Sequence, residues 1–97
     1  MRYEIVLAPE AIDDLRKLRA HTRVAVRDTI EKQLRHEPTK TSKSRIKRLR
    51  GVRRPQYRLR VGEVRIFYDV SEGAVEVLAI IPKSQAASWL EQWEKSK

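Results

Sequence analysis

The 97-residue chain carries 22 lysines and arginines against 13 acidic residues, a net charge of +9, with 40% apolar and 36% charged residues and no cysteine. A single domain over residues 1–97 built on one core is expected, which excludes a two-domain enzyme; the lack of cysteine excludes a disulfide framework, a thiolate nucleophile and a zinc ribbon. The longest apolar runs, Ile5–Pro9 and Val77–Pro82, are far too short to cross a bilayer, and no signal-peptide core opens the chain, so the expected setting is soluble and cytoplasmic, with no membrane partner.

Residues 2–7 alternate, Tyr3, Ile5 and Leu7 against Glu4 and Val6, as in a half-buried strand. Pro9 fits a helical first turn, and Ile12, Leu15 and Leu18 recur at helical spacing, predicting a helix over about 9–20. Thr22 is the expected N-cap of a second helix with Val26, Ile30 and Leu34 as its stripe, ended by Pro38; the two would form an antiparallel hairpin. The polar stretch 39–44 reads as a mobile connector. Tyr57, Leu59 and Val61 then alternate with Arg58 and Arg60, and beyond Gly62-Glu63 the residues Val64, Ile66 and Tyr68 alternate with Arg65 and Phe67. That pattern is a β-hairpin, and Gly at the first central position suits a type II′ turn, with a bulged turn as the alternative. Residues 75–81 are nearly all apolar, the mark of a strand covered on both faces and placed at the sheet centre. Ser84 is the expected cap of a last helix carrying Ala86, Leu90 and Trp93 on one face. The order β-α-α-β-β-β-α predicts an α+β domain with a four-stranded mixed sheet.

The charge is unevenly placed. Residues 1–38 hold 8 bases and 7 acids, residues 39–65 hold 11 bases and only Glu63, and residues 66–97 hold 3 bases and 5 acids. A field of one sign concentrated in the middle of the chain attracts polyanions, of which nucleic acid is the commonest, although a solvated basic face would look the same. If Val61 pairs with Val64, Arg60 stands opposite Arg65 and Arg58 opposite Phe67. Facing cations repel, and an anion between them relieves the repulsion; the alternative is guanidinium groups splayed into water. The preceding SRIKRLRGVRR (residues 44–54) adds Arg45, Lys47, Arg48, Arg50, Arg53 and Arg54 as one wall of an RNA groove, with Phe67 available to stack on a base. His21 and His36 have no catalytic partner at a useful spacing, and no phosphate loop, metal cluster or serine triad can be assembled, so neither metal nor cofactor is expected. The remaining candidate chemistry is neutralisation of a phosphoryl transition state by Arg58, Arg60 and Arg65. Lys83, after the last strand, is then a proton acceptor or a phosphate contact, since arginine stays protonated.

KRLRG (Lys47–Gly51), YRLRVGEVRIFYDV (Tyr57–Val70) and VEVLAIIPKSQAASWL (Val75–Leu90), with APEAIDDLRKL (Ala8–Leu18) before them, resemble the RelE/ParE toxin superfamily of type II toxin-antitoxin systems. The resemblance spans nearly the whole chain and implies a RelE-like fold and a cognate antitoxin that wraps the basic face. Within the superfamily, RelE-like members are ribosome-dependent endoribonucleases that cut mRNA, and ParE-like members poison DNA gyrase. Carried over residue by residue, the basic strand positions of RelE toxins fall on Arg58 and Arg60, and the phosphate-steadying arginine on Arg65, which favours the mRNA endoribonuclease. The sequence also departs from that pattern: the arginine after the last strand falls near Lys83 or Ser84, and the C-terminal tyrosine near Trp89 or Leu90. The implied partners are mRNA on the ribosome, the antitoxin, and operator DNA only through the antitoxin complex. A gyrase poison, or a non-toxic nucleic-acid-binding member acting in operon autoregulation, is the alternative.

Overall fold

The structure, a computed structural model, describes residues 2–95. Strand β1 (Glu4–Leu7) leads into helix α1 (Pro9–Lys17), with Pro9 in the first turn as its fixed φ favours, and then α2 (Ala20–Thr29), which continues as a π-helical turn over Ile30–Leu34. After the connector come β2 (Ile46–Arg48), β3 (Tyr57–Val61), β4 (Val64–Ser71) and β5 (Ala74–Pro82); a single 3₁₀ turn, Lys83–Gln85, precedes helix α3 (Ala86–Lys95). The sheet order is β1-β5-β4-β3-β2, with β1 parallel to β5 and every other pair antiparallel.

The class is the expected α+β, but the sheet has five strands rather than four. The added one, β2, is three residues long and lies inside the basic segment, where only Ile46 turns into the core. β5 lies between β1 and β4, and β4 rather than β5 is the middle strand. Neither expected cap is used. α2 starts at Ala20 after an extended Arg19, two residues ahead of Thr22, and Ser84 sits within the 3₁₀ turn. The carbonyls that end α1 are satisfied instead by Arg23 of α2, whose guanidinium donates to Leu18 O at 2.9 Å and Leu15 O at 3.3 Å.

One face of the sheet is packed by the helices: Ala11 and Leu15 of α1, Val26 of α2 and Ile30 and Leu34 of the π turn meet Leu59, Ile66, Tyr68, Val75, Val77 and Ile80. Burial of each large aliphatic side chain here is worth about 1.5–3 kcal/mol. Tyr68 is fully buried and donates its hydroxyl to Pro38 O at 2.7 Å, which ties the connector to the sheet; burial, with Tyr57 beside it, pushes its ionisation above the tyrosine range. Where β1 ends, the exposed edge of β5 is covered by α1: Asp14 accepts a hydrogen bond from the Ile80 N–H at 3.0 Å. An extra residue in β5, Leu78, interrupts the β4 register between Phe67 and Tyr68.

α3 lies across the opposite sheet face, where Phe67, Ala79 and Ile81 form a second, smaller cluster with Leu49, Ala86, Trp89 and Leu90. No residue of α3 is buried. Among the described residues no helix is long and apolar enough to cross a membrane.

Candidate nucleic-acid interface

β3 and β4 join through Gly62-Glu63 in the expected register, Val61 with Val64, Arg60 with Arg65 and Arg58 with Phe67. Gly62 has φ +56° and Glu63 a negative φ, the combination a type II′ turn needs. Alternation sends Tyr57, Leu59 and Val61 to the helix-packed face and Arg58 and Arg60 to the other, where Arg65 joins them from β4. Lys47 of β2 pairs with Arg58 and lies on the same face. Three arginines and a lysine thus share one corner of the sheet beside α3.

The three arginines have different surroundings. Arg60 is exposed. Arg65 is 7% exposed, and its Nη1 donates to Gly62 O at 2.9 Å and Val64 O at 3.1 Å, so part of its guanidinium is committed to the turn. Arg58, two residues along β3 from Arg60 and opposite Phe67, has a buried Nε with no hydrogen-bond partner. Burial, and then the charges of Arg65 and Arg60, lower its pKa below arginine's usual value. A buried N–H with no acceptor, on a side chain repelled by two like charges, is a costly arrangement that an anion would relieve.

Lys83 stands exposed at the end of β5, and its backbone N–H donates to Glu63 O at 2.7 Å, which fixes its position against the hairpin turn. The turn therefore brings Lys83 to the Arg60–Arg65 end of the corner.

The basic segment divides. Arg45, Lys47, Arg50 and Arg53 are exposed. Arg48 is also exposed, but strand alternation puts it on the helix-packed side, where its guanidinium lies 5.1 Å from the Tyr57 ring centroid. Arg54 is not a free cation: Nε donates to Asp69 at 2.5 Å, Nη2 to Glu76 at 3.3 Å, and the group lies 5.9 Å from the Trp93 ring. Its pKa is raised by the hydrogen bond to Asp69. Phe67 departs furthest from its expected role as a stacking platform: it is 1% exposed and already stacked on Trp89, centroids 4.9 Å apart, and Trp89 stacks in turn on Trp93 at 5.2 Å. The apolar face of α3, pressed on the sheet, covers the Phe67 ring.

Sequence reasoning missed the network that orders this segment. Asp69 also accepts from the Gln56 N–H at 2.7 Å, and Gln56 Oε1 accepts from Val70 N at 2.8 Å, so the residues after cis-Pro55 are fastened to β4. The available signal was the parity of Asp69, two residues beyond Phe67 on the outer face and the single acid of that strand.

A family profile described as the ParE toxin of type II toxin-antitoxin systems matches residues 5–87, and the chain belongs to this family, within the RelE/ParE superfamily. Among solved structures, the toxin-antitoxin complex RelBE2 of Mycobacterium tuberculosis matches with TM-score 0.71 and 24% identity over 84% of this chain and 92% of that one. The RelB–RelE complex of Methanococcus jannaschii matches with TM-score 0.68 and 21% identity over 87% and 96%. Escherichia coli RelE in the free state, as a double arginine-to-alanine variant, matches with TM-score 0.59 and 18% identity over 98% of both chains. At these identities the likeness establishes a shared RelE-like fold. No curated protein matches the chain.

Proposed function

We propose that this toxin is a RelE-like, ribosome-dependent mRNA endoribonuclease that inhibits translation in the cytoplasm and is held inactive by a cognate antitoxin. The observation that carries the reading is the unpartnered Nε of Arg58 beside the facing pair of Arg60 and Arg65. In RNA cleavage the 2′-oxygen attacks the adjacent phosphorus and the 5′-oxygen leaves, so negative charge builds on the phosphoryl oxygens at the transition state. Preformed cations at that position lower the barrier without reorganising. Arg58 and the uncommitted donors of Arg65 would hold the phosphoryl oxygens, and Arg60 the strand beside them. Lys83, held at the same corner by Glu63 O, is the remaining group able to carry a proton to or from the reacting oxygens. Arg54, Phe67 and Arg48 are left out of this site by their placement.

The match to a ParE profile supports a second reading, a gyrase poison that leaves RNA intact. The chain is induced without antitoxin, and 5′ ends are mapped on a translated mRNA and on an untranslated copy. Cuts confined to the translated copy are expected. Growth arrest without cuts, together with cleaved chromosomal DNA, would establish the gyrase poison; no arrest would point to a non-toxic member.

A further inference from the structure

A second cleft adjoins the arginine corner at the open edge of the sheet, lined by Ser44, Arg45, Arg60, Val61 and Gly62. Arg60 N donates to Arg45 O at 2.9 Å, so the two arginines are backbone neighbours across β3 and the residue just before β2. Residues opposite each other on neighbouring antiparallel segments have Cβ atoms about 4.5–5.5 Å apart, close enough for both guanidinium groups to reach one anion. Arg45 is not on a loose loop: the Ser42 hydroxyl accepts from Arg45 N at 3.0 Å and Ile46 N at 3.3 Å, and Ser42 N donates to Ile46 O at 2.9 Å. Glu63, the acid of the hairpin turn, lines a different cleft, with Pro82, Lys83 and Ser84. The lining of the edge cleft therefore holds two cations, a serine hydroxyl and no carboxylate.

We propose that this edge cleft is a second phosphate subsite, which takes the phosphodiester next to the scissile one in a single RNA strand, with Arg60 shared between the two positions. The proposal rests on the reading of the chain as an RNA-cleaving toxin and adds a path: the strand crosses the sheet from the Arg58 corner, over Arg60, and leaves by Arg45 at the β2 edge. Arg60 lies on the outer face and also lines the edge cleft, so it reaches both positions.

The test uses the full chain and 2′-O-methylated oligoribonucleotides, which cannot be cut: a dinucleotide with one phosphate and a trinucleotide with two. The second phosphate should tighten binding about tenfold. Arg45→Ala should remove that gain and leave the dinucleotide affinity unchanged. The slope of log affinity against log salt for the trinucleotide should fall by about 0.7, the share of one phosphate on a single strand. Arg27→Ala, an exposed arginine on α2, controls for net charge and should alter neither. Equal losses in both variants, an Arg45→Ala effect on the dinucleotide as large as on the trinucleotide, or no binding of either probe would overturn the subsite. Failure of the nuclease reading shows separately, as uncut translated mRNA with the Arg45-dependent gain intact.

Discussion

At the scale of single residues, Arg58 ties the candidate function most closely to physical cost. Its Nε is buried without an acceptor, and burial, followed by the charges of two further cations, lowers its pKa. Leaving a buried donor unsatisfied costs about 1–3 kcal/mol, and partial exposure of the side chain puts Arg58 at the lower end. Arg58→Met keeps the packed stem and removes both the orphan donor and the repulsion. It should raise the melting temperature by about 4–8 °C, which corresponds to about 1 kcal/mol in a domain this size, and abolish toxicity. Thermal unfolding and a growth assay of the one variant check both halves; a lower melting temperature would mean that Arg58 has a stabilising partner. Arg54 predicts the opposite behaviour. Its ion pairs with Asp69 and Glu76 are internal, so Arg54→Ala should lower stability by about 1–3 kcal/mol by leaving the half-buried Asp69 short of a partner. The two arginines look alike in the sequence, since each sits in a basic run. Their difference depends on Asp69, fifteen residues beyond Arg54, which no local pattern connects to it.

At the scale of elements, the β3–β4 hairpin was fully legible, because strict alternation and a two-residue glycine turn leave one register that buries Leu59, Ile66 and Tyr68 together. The same alternation sets Arg60 opposite Arg65. β2 was not legible, because three residues with one inward side chain carry no period. The start of α2 was missed for a related reason: the break at Leu18-Arg19 is sealed by Arg23 from the next helix, a tertiary cap that a scan for Ser or Thr caps cannot see. Gly62 gives the turn a sharp test. Space around its Cβ position is open, so Gly62→Ala costs only the strain of a positive φ, about 1–2 kcal/mol, measurable by denaturant unfolding with no packing correction. α3 gives another. It has no buried residue and is attached through Trp89 on Phe67 and Trp93 near Arg54. Its amides should exchange with solvent well before those of β4 and β5 under native conditions, in a hydrogen-exchange experiment followed by mass spectrometry. Equal protection would show that α3 is part of the cooperative core.

For the whole molecule, the fold converts an uneven charge in sequence into a polarised surface. The first 38 residues, nearly balanced in charge, build β1 and the helices on one face of the sheet; residues 39–65, with 11 bases and one acid, build β2, β3 and the start of β4 at the other end of the sheet. Among the described residues, Arg54, committed to Asp69 and Glu76, is the one base of that stretch in an ion pair to the sheet, while Lys40 pairs with the nearby Glu37. The remaining charge is uncompensated, which raises the local concentration of a polyanion and makes its binding an exchange of counterions. If the Arg58–Arg65 corner takes one phosphate, the Arg60–Arg45 edge cleft the next and Lys47 a third, log affinity for a single-stranded RNA should fall with log salt at a slope of about −2, from about 0.7 per phosphate. Filter binding from low to moderate salt measures it. A slope near −7 would mean that the whole basic stretch contributes as a diffuse field, so that losing any one arginine matters little. A flat response would remove nucleic acid from the account, and the arginine corner would then be a docking point for acidic side chains of a protein partner.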